Sequence, residues 1–170
     1  MQDHAQIRQA TASDMPAVHD LCWKYRALLV ARNHSRPEIV ENYYNSDTYT
    51  DLLQRLPSIH ARPDGAIFIA TLGGKTVGCA MSHRIDQTTC EIKRVYVDDA
   101  ARGHGLGVSL FQTAMDQARR DGYARMVLDT MIPLTEAIAL YRKIGFRRSE
   151  PFYDLDPDYA DHIEFYEIDL

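Results

Sequence analysis

The sequence predicts an α/β (α+β) fold: one domain over residues 1–170, with a mixed, mostly antiparallel central sheet flanked by about four helices. Three observations predict it. A β-prone segment is followed by two helical stretches and then by three β-prone segments separated by turn signals, an antiparallel meander. The last meander segment runs into a glycine-rich loop, an apolar helical stripe and another β-prone segment. Such a strand–helix–strand unit places its two strands parallel through a right-handed crossover. Finally, 170 residues with 45% hydrophobic content suffice for one sizeable core.

The elements follow in order. Residues 5–10 alternate as a first strand. Thr11, Ser13 and Asp14 offer helix caps, and Ser13 is preferred because it puts Pro16 in the first turn, where a missing N–H costs little. Met15, Val18, Cys22, Tyr25 and Leu29 then recur at helical spacing. Residues 31–37 break this helix. A second helical region is expected over residues 38–56, with Tyr43, Tyr44 and Tyr49 as either pocket lining or a half-buried face. Pro63-Asp64-Gly65 marks a turn, residues 66–72 a strand, Gly73-Gly74 a hairpin, residues 75–83 its partner, and residues 89–97 the third meander strand.

That third strand changes parity. Ile92 is apolar at an even position, Val95 and Val97 at odd ones. Either both faces are buried, or a bulge near Lys93–Arg94 shifts the register, and the bulge is favoured. After the loop, Leu106, Leu110, Phe111, Ala114, Met115 and Ala118 form one stripe, ended by Gly122. Residues 124–130 are the parallel strand. Pro133 opens a helix that Gly145 stops. Residues 146–148 begin a strand, residues 150–161 form an acidic loop, and residues 162–168 close the sheet.

The bulk numbers exclude several classes. A net charge of −5 argues against nucleic-acid or anionic-membrane binding. No stretch reads as a secretory signal or a membrane span. Cys22, Cys79 and Cys90 are far apart, odd in number and without CxxC spacing, so reduced cytoplasmic thiols are expected rather than a disulfide or metal site.

The chemistry centres on Arg102-Gly103-His104-Gly105-Leu106-Gly107. Such a loop presents backbone N–H groups at a helix N-terminus, where the macrodipole favours an anion. A dinucleotide-binding fingerprint would need G-x-G-x-x-G after the first strand of a parallel unit, and a P-loop would need Gly-Lys-Ser/Thr. Neither is present.

With this loop, the order of elements resembles the GNAT superfamily of acyl-CoA-dependent N-acyltransferases. The hexapeptide is similar to the family's Arg/Gln-x-x-Gly-x-Gly/Ala pyrophosphate loop. Residues 90–97 look like its bulged strand, and Ala137-x-x-Leu140-Tyr141-x-x-x-Gly145-Phe146 looks like its second signature. The resemblance implies a splayed parallel strand pair with a pantetheine arm in the gap, held by main-chain groups of Val95, Tyr96 and Val97. It implies a pyrophosphate cradle from Gly103, His104, Gly105, Leu106, Gly107 and Val108, with Arg102 adding a charge-assisted contact. One departure stands out: the family often has Asn three residues before Ala137, where this sequence has Leu134, and Thr130 or Thr135 would replace that contact.

The reaction implied is direct attack by a primary amine on acetyl-CoA in a ternary complex. Tyr141 matches the leaving-group acid. Glu91 is the base candidate, against the reading that it only pairs with Lys93 or Arg94. Cys90 reads as a core residue rather than a nucleophile, and no metal is expected. The implied partners are acetyl-CoA and a small-molecule or peptide amine, with a homodimer left open. Glu150, Asp154, Asp156, Asp158 and Asp161, interleaved with Phe152, Tyr153 and Tyr159, would suit a cationic amine, or form an ordinary solvated loop. A catalytically silent acetyl-CoA sensor, or an interaction protein on the same scaffold, is the alternative.

Overall fold

The computed structural model describes residues 4–170; residues 1–3 of the expected 1–170 domain lie outside the described residues. One seven-stranded sheet runs through the chain in the order β1-β2-β3-β4-β5-β7-β6. Its strands are β1 (Ala5–Gln9), β2 (Ala66–Leu72), β3 (Lys75–Arg84), β4 (Thr89–Val97), β5 (Arg125–Met131), β6 (Arg147–Arg148) and β7 (Ile163–Asp169). Every pairing is antiparallel except β4 with β5. Among the described residues, five α-helices cover it: α1 (Met15–Arg32), α2 (Pro37–Tyr43), α3 (Ser46–Ile59), α4 (Leu106–Arg120) and α5 (Thr135–Ile144). No described helix is long and apolar enough to cross a membrane.

Both faces of the sheet are covered, which explains why β2 reads AIFIA without alternation. Ala66, Phe68 and Ala70 face one cluster, with Leu110, Phe111 and Met115 of α4. Ile67 and Ile69 face the other, with Val18, Leu21, Leu53 and Leu56 of α1 and α3. Leu110 and Phe111 are fully buried, each contributing about 1.5–3 kcal/mol relative to exposure.

Two local expectations need correction. The region over residues 38–56 is two helices, because Asn45 stops one and caps the next: its side chain accepts from the N–H groups of Asp47 (3.0 Å) and Thr48 (3.4 Å). Ser13 does not cap α1: Asp14 stands at the N-cap position without a side-chain cap bond, and Thr11 and Asp14 form a capping box one turn earlier. A short turn at Ala12–Asp14 precedes the helix. The Asp14 carboxylate accepts from the Thr11 N–H at 2.7 Å and holds Arg8 through two bonds of 2.7 and 2.8 Å. The bidentate Arg8 pair and the Thr11 bonds fasten this turn to β1 ahead of the helix.

The bulge accounts for the β4 parity shift: Cys90 and Ile92 before it and Val95 and Val97 after it pack into the same α4 cluster. The register with β3 also slips by one residue, since Cys79 pairs with Tyr96 but Met81 pairs with Lys93. Arg94 carries the slip at φ 51°, a left-handed backbone that few residues other than glycine adopt.

Candidate active site

The site is built where β4 and β5 part. They pair from Thr89↔Arg125 to Glu91↔Val127 and no further. Beyond that point β4 bends at its bulge, while β5 continues paired to β7 as far as Met131↔Ile163. The Val95–Val97 segment is therefore left without a β5 partner, the opening an extended ligand needs.

A groove of about 450 Å³ follows from this opening. Val95, Tyr96 and Val97 form one wall; Leu134, Ala137 and Leu140 form the other. Its end is the glycine loop, where Arg102, Gly103, Gly105, Leu106, Gly107 and Val108 line it. Gly103 and Gly105 sit at φ 86° and 68°, conformations that would strain any side chain. The first intrahelical bond at this end of α4 is Ser109 N–H to Gly105 C=O, 3.1 Å. The N–H groups of Leu106, Gly107 and Val108 are thus left for a ligand. A Cβ at Gly107 would lie 3.2 Å from the Leu140 side chain, so glycine here sets the close approach of α4 to α5.

Three sequence-predicted residues sit differently from their neighbours. His104 does not line the groove; its Nδ1 lies 3.2 Å from the Ala101 carbonyl. Arg102 does line it, and its exposed guanidinium is paired with Asp99 at 2.8 Å. Thr130 lines a neighbouring cavity instead, buried, with its Oγ1 unpartnered. Leu134, at the departure from the family pattern, gives the groove an apolar contact.

At the inner end the groove meets a narrow gap lined by Val95, Phe111, Leu128, Asp129 and Tyr141, together with Lys93 and Arg94. The Tyr141 ring is held by Phe111 at 5.6 Å and Tyr166 at 6.0 Å. Burial pushes its hydroxyl well above the ordinary tyrosine range, so it remains a proton donor at any working pH.

Behind the gap lies a second cavity, about 120 Å³, lined by Tyr25, Tyr43, Tyr44, Lys93, Arg94, Asp129 and Tyr153 among others. Five residues belong to both spaces: Tyr25, Tyr44, Lys93, Arg94 and Asp129. Asp129 accepts a 2.6 Å hydrogen bond from the Tyr153 hydroxyl. Burial works against the Lys93 charge, but Asp129 and Glu91 more than offset it and hold its pKa above the ordinary lysine range.

Glu91 lines neither the gap nor this cavity. It is buried, with one oxygen 2.7 Å from His83 Nε2 across the β3 register and the other 3.3 Å from Lys93 Nζ. Burial alone would raise its pKa, yet the His83 bond and the Lys93 charge outweigh it and hold the carboxyl below its usual range. Such a group is a weak base.

The acidic loop contributes Tyr153 to the cavity but none of its carboxylates. Asp161 pairs with Arg36 at 2.9 Å, and the Asp156 side chain accepts from the Asp158 N–H. Tyr49 is core, its hydroxyl donating to the Cys22 carbonyl at 2.9 Å. Burial pushes the Cys90 thiol up to about 12, which leaves no thiolate for nucleophilic work.

The residues that sequence reading missed are Asp129, Arg94 and Lys93. A signal existed for Asp129: an aspartate inside the apolar run MVLDT is out of place for an ordinary strand.

Comparison with known proteins gives a consistent result. The acetyltransferase (GNAT) family matches residues 23–146. An uncharacterized N-acetyltransferase of Schizosaccharomyces pombe is 38% identical over 93 residues, 54% of this chain and 57% of that protein. The chain therefore matches little more than half the length of this curated relative. A GNAT-family acetyltransferase of Staphylococcus aureus superposes with a TM-score of 0.75 at 18% identity, covering 98% of this chain and 99% of that one. The PaiA N-acetyltransferase of Thermoplasma acidophilum, solved in complex with coenzyme A, superposes with a TM-score of 0.70 at 16% identity, covering 98% and 99%. At these identities the two structures speak for the fold alone.

Proposed function

Since the chain belongs to the GNAT acetyltransferase family, we propose that it is an N-acetyltransferase that transfers the acetyl group of acetyl-CoA to a primary amine. The observation that carries this is the continuity of one groove from the unpaired Val95–Val97 strand to the free N–H groups opening α4, with Tyr141 lining the gap that adjoins it at Val95. The groove fits the donor. An unpaired strand edge suits an amide-bearing arm, and a glycine cradle at a helix N-terminus suits a pyrophosphate. The Cys22, Cys79 and Cys90 thiols are all free, which supports action in the cytoplasm.

The roles of the residues follow from position. The N–H of Val97 or its neighbours polarises the thioester carbonyl. Asp129, at the junction of gap and cavity, takes the first proton from the incoming ammonium and passes it to solvent. The amine nitrogen forms the new C–N bond as the C–S bond breaks. Tyr141 gives its proton to the departing sulfur and recovers one from the acetylated nitrogen. Glu91 positions Lys93 and is not itself the base.

Calorimetry with acetyl-CoA, followed by assay of free thiol released across a panel of primary amines, tests this reading. The expected result is micromolar donor binding and amine-dependent release. Asp129→Asn is expected to lower kcat by about 100-fold, within the usual range for a general base, and Glu91→Gln by much less. No heat of binding at millimolar acetyl-CoA would end the proposal. Equal losses in the two variants would return Glu91 to the base role.

A further inference from the structure

Arg94 is buried, 8% exposed, at the shared wall of the gap and the second cavity. Its guanidinium is always charged and carries five N–H donors. Yet its Nε has no hydrogen-bond partner, its Nη1 meets only the Met81 sulfur at 3.7 Å, and it forms no salt bridge among the described residues. An isolated buried charge is strongly disfavoured unless an anion meets it. Lys93, the other cation of this wall, already has Glu91.

Across the same small cavity, Asp129 has a tyrosine hydroxyl but no cation within salt-bridge reach among the described residues. One cation without an anionic partner, Arg94, thus faces a space of about 120 Å³ that also holds the Asp129 carboxylate, whose nearest charge is the already paired Lys93. A molecule carrying opposite charges a few bonds apart would satisfy both. A simple amine would satisfy Asp129 and leave Arg94 bare. A peptide N-terminus would bring a neutral amide where the guanidinium waits.

Resting on the acetyl-transfer reading, we infer that the acceptor is a small amino-carboxylate, with its carboxylate on the Arg94 guanidinium and its amine beside Asp129, facing the gap that Tyr141 lines. Planar guanidinium and carboxylate meet through two parallel hydrogen bonds, so Arg94 would orient the acceptor as well as attract it. The tyrosine rings of residues 25, 43 and 44 bound the rest of the cavity and keep it narrow.

The test uses the full chain, acetyl-CoA, the common L-amino acids and the C-terminal amide of each, with thiol release as readout. At least one free acid should be acetylated with kcat/KM about 10–100 times that of its amide, the range for charge-assisted hydrogen bonds to a buried group. Arg94→Gln should bring the acid-to-amide ratio close to one, and Arg94→Lys should keep part of it. The wild-type comparison stands whether or not the variants fold. Amides turned over as well as acids, or no amino acid turned over while acetyl-CoA still binds, would overturn the inference and leave the donor reading intact. Failure of acetyl-CoA to bind would remove the donor reading on which it rests.

Discussion

Replacing Tyr141 by phenylalanine isolates one oxygen atom. The ring sits at 5.6 Å from Phe111, 6.3 Å from Phe146 and 6.0 Å from Tyr166, and phenylalanine keeps every one of these contacts. What disappears is a donor facing the gap between β4 and β5, where the sulfur of the donor would leave. A hydrogen bond to a group gaining negative charge is worth about 1.5–3 kcal/mol in a buried setting. That corresponds to a fall in kcat of about 10- to 150-fold. Acetyl-CoA affinity should change by less than about twofold, about 0.4 kcal/mol, because Tyr141 is absent from the lining of the long groove that holds the rest of the molecule. Steady-state thiol release gives kcat, and calorimetry gives the affinity. The melting temperature serves as a control for packing. A kcat within twofold of wild type would show that the hydroxyl does not assist departure. A loss of affinity matching the loss of rate would show instead that Tyr141 binds the donor rather than acting in the transition state.

Two further outcomes follow from backbone and burial. Gly105→Ala meets open space but forces a side chain onto φ 68°, which costs about 1–2 kcal/mol. Calorimetry should show acetyl-CoA binding about fivefold or more weaker, with kcat at saturation little changed. His60 is buried with its Nδ1 2.8 Å from the Ser82 carbonyl, and burial lowers its pKa to about 4. The unfolded chain therefore takes up this proton first, near pH 6.5. The stability contributed is whole above that pH and declines by about 1.4 kcal/mol per pH unit toward pH 4. Urea unfolding across this interval should be steeper for wild type than for His60→Asn, and equal slopes would refute the assignment.

Most of the fold was legible because its signals are local. Strand β2 and its hairpin announce themselves by β-branched residues and Gly73-Gly74. Helix α4 announces itself by a six-residue apolar stripe, every member of which is buried. The bulge was legible through parity alone. Caps were less so: the Thr11–Asp14 capping box precedes α1, and Arg8, six residues back on β1, folds against Asp14. The split between α2 and α3 turns on one asparagine side chain. The donor groove was largely readable because it is made of contiguous backbone, residues 95–97 and 102–108. The second cavity was not. Its wall brings together Tyr25, Tyr44, Arg94, Asp129 and Tyr153 from five separate elements or loops, and no spacing rule connects them. Glu91 illustrates the limit: its partner His83 is set by strand register, which only the folded sheet defines.

Arg94 has a consequence for redesign. Its main chain makes the bend that frees the Val95–Val97 strand, while the residue also lines the second cavity, where the proposed acceptor would sit. The two specificities therefore share one codon and are not modular. Swapping the side chain to admit a different acceptor risks straightening the strand and losing the donor. Asparagine and glycine tolerate a left-handed backbone with little strain. They are the replacements that would vacate the acceptor pocket while preserving the kink, and a variant library at this position should begin with them.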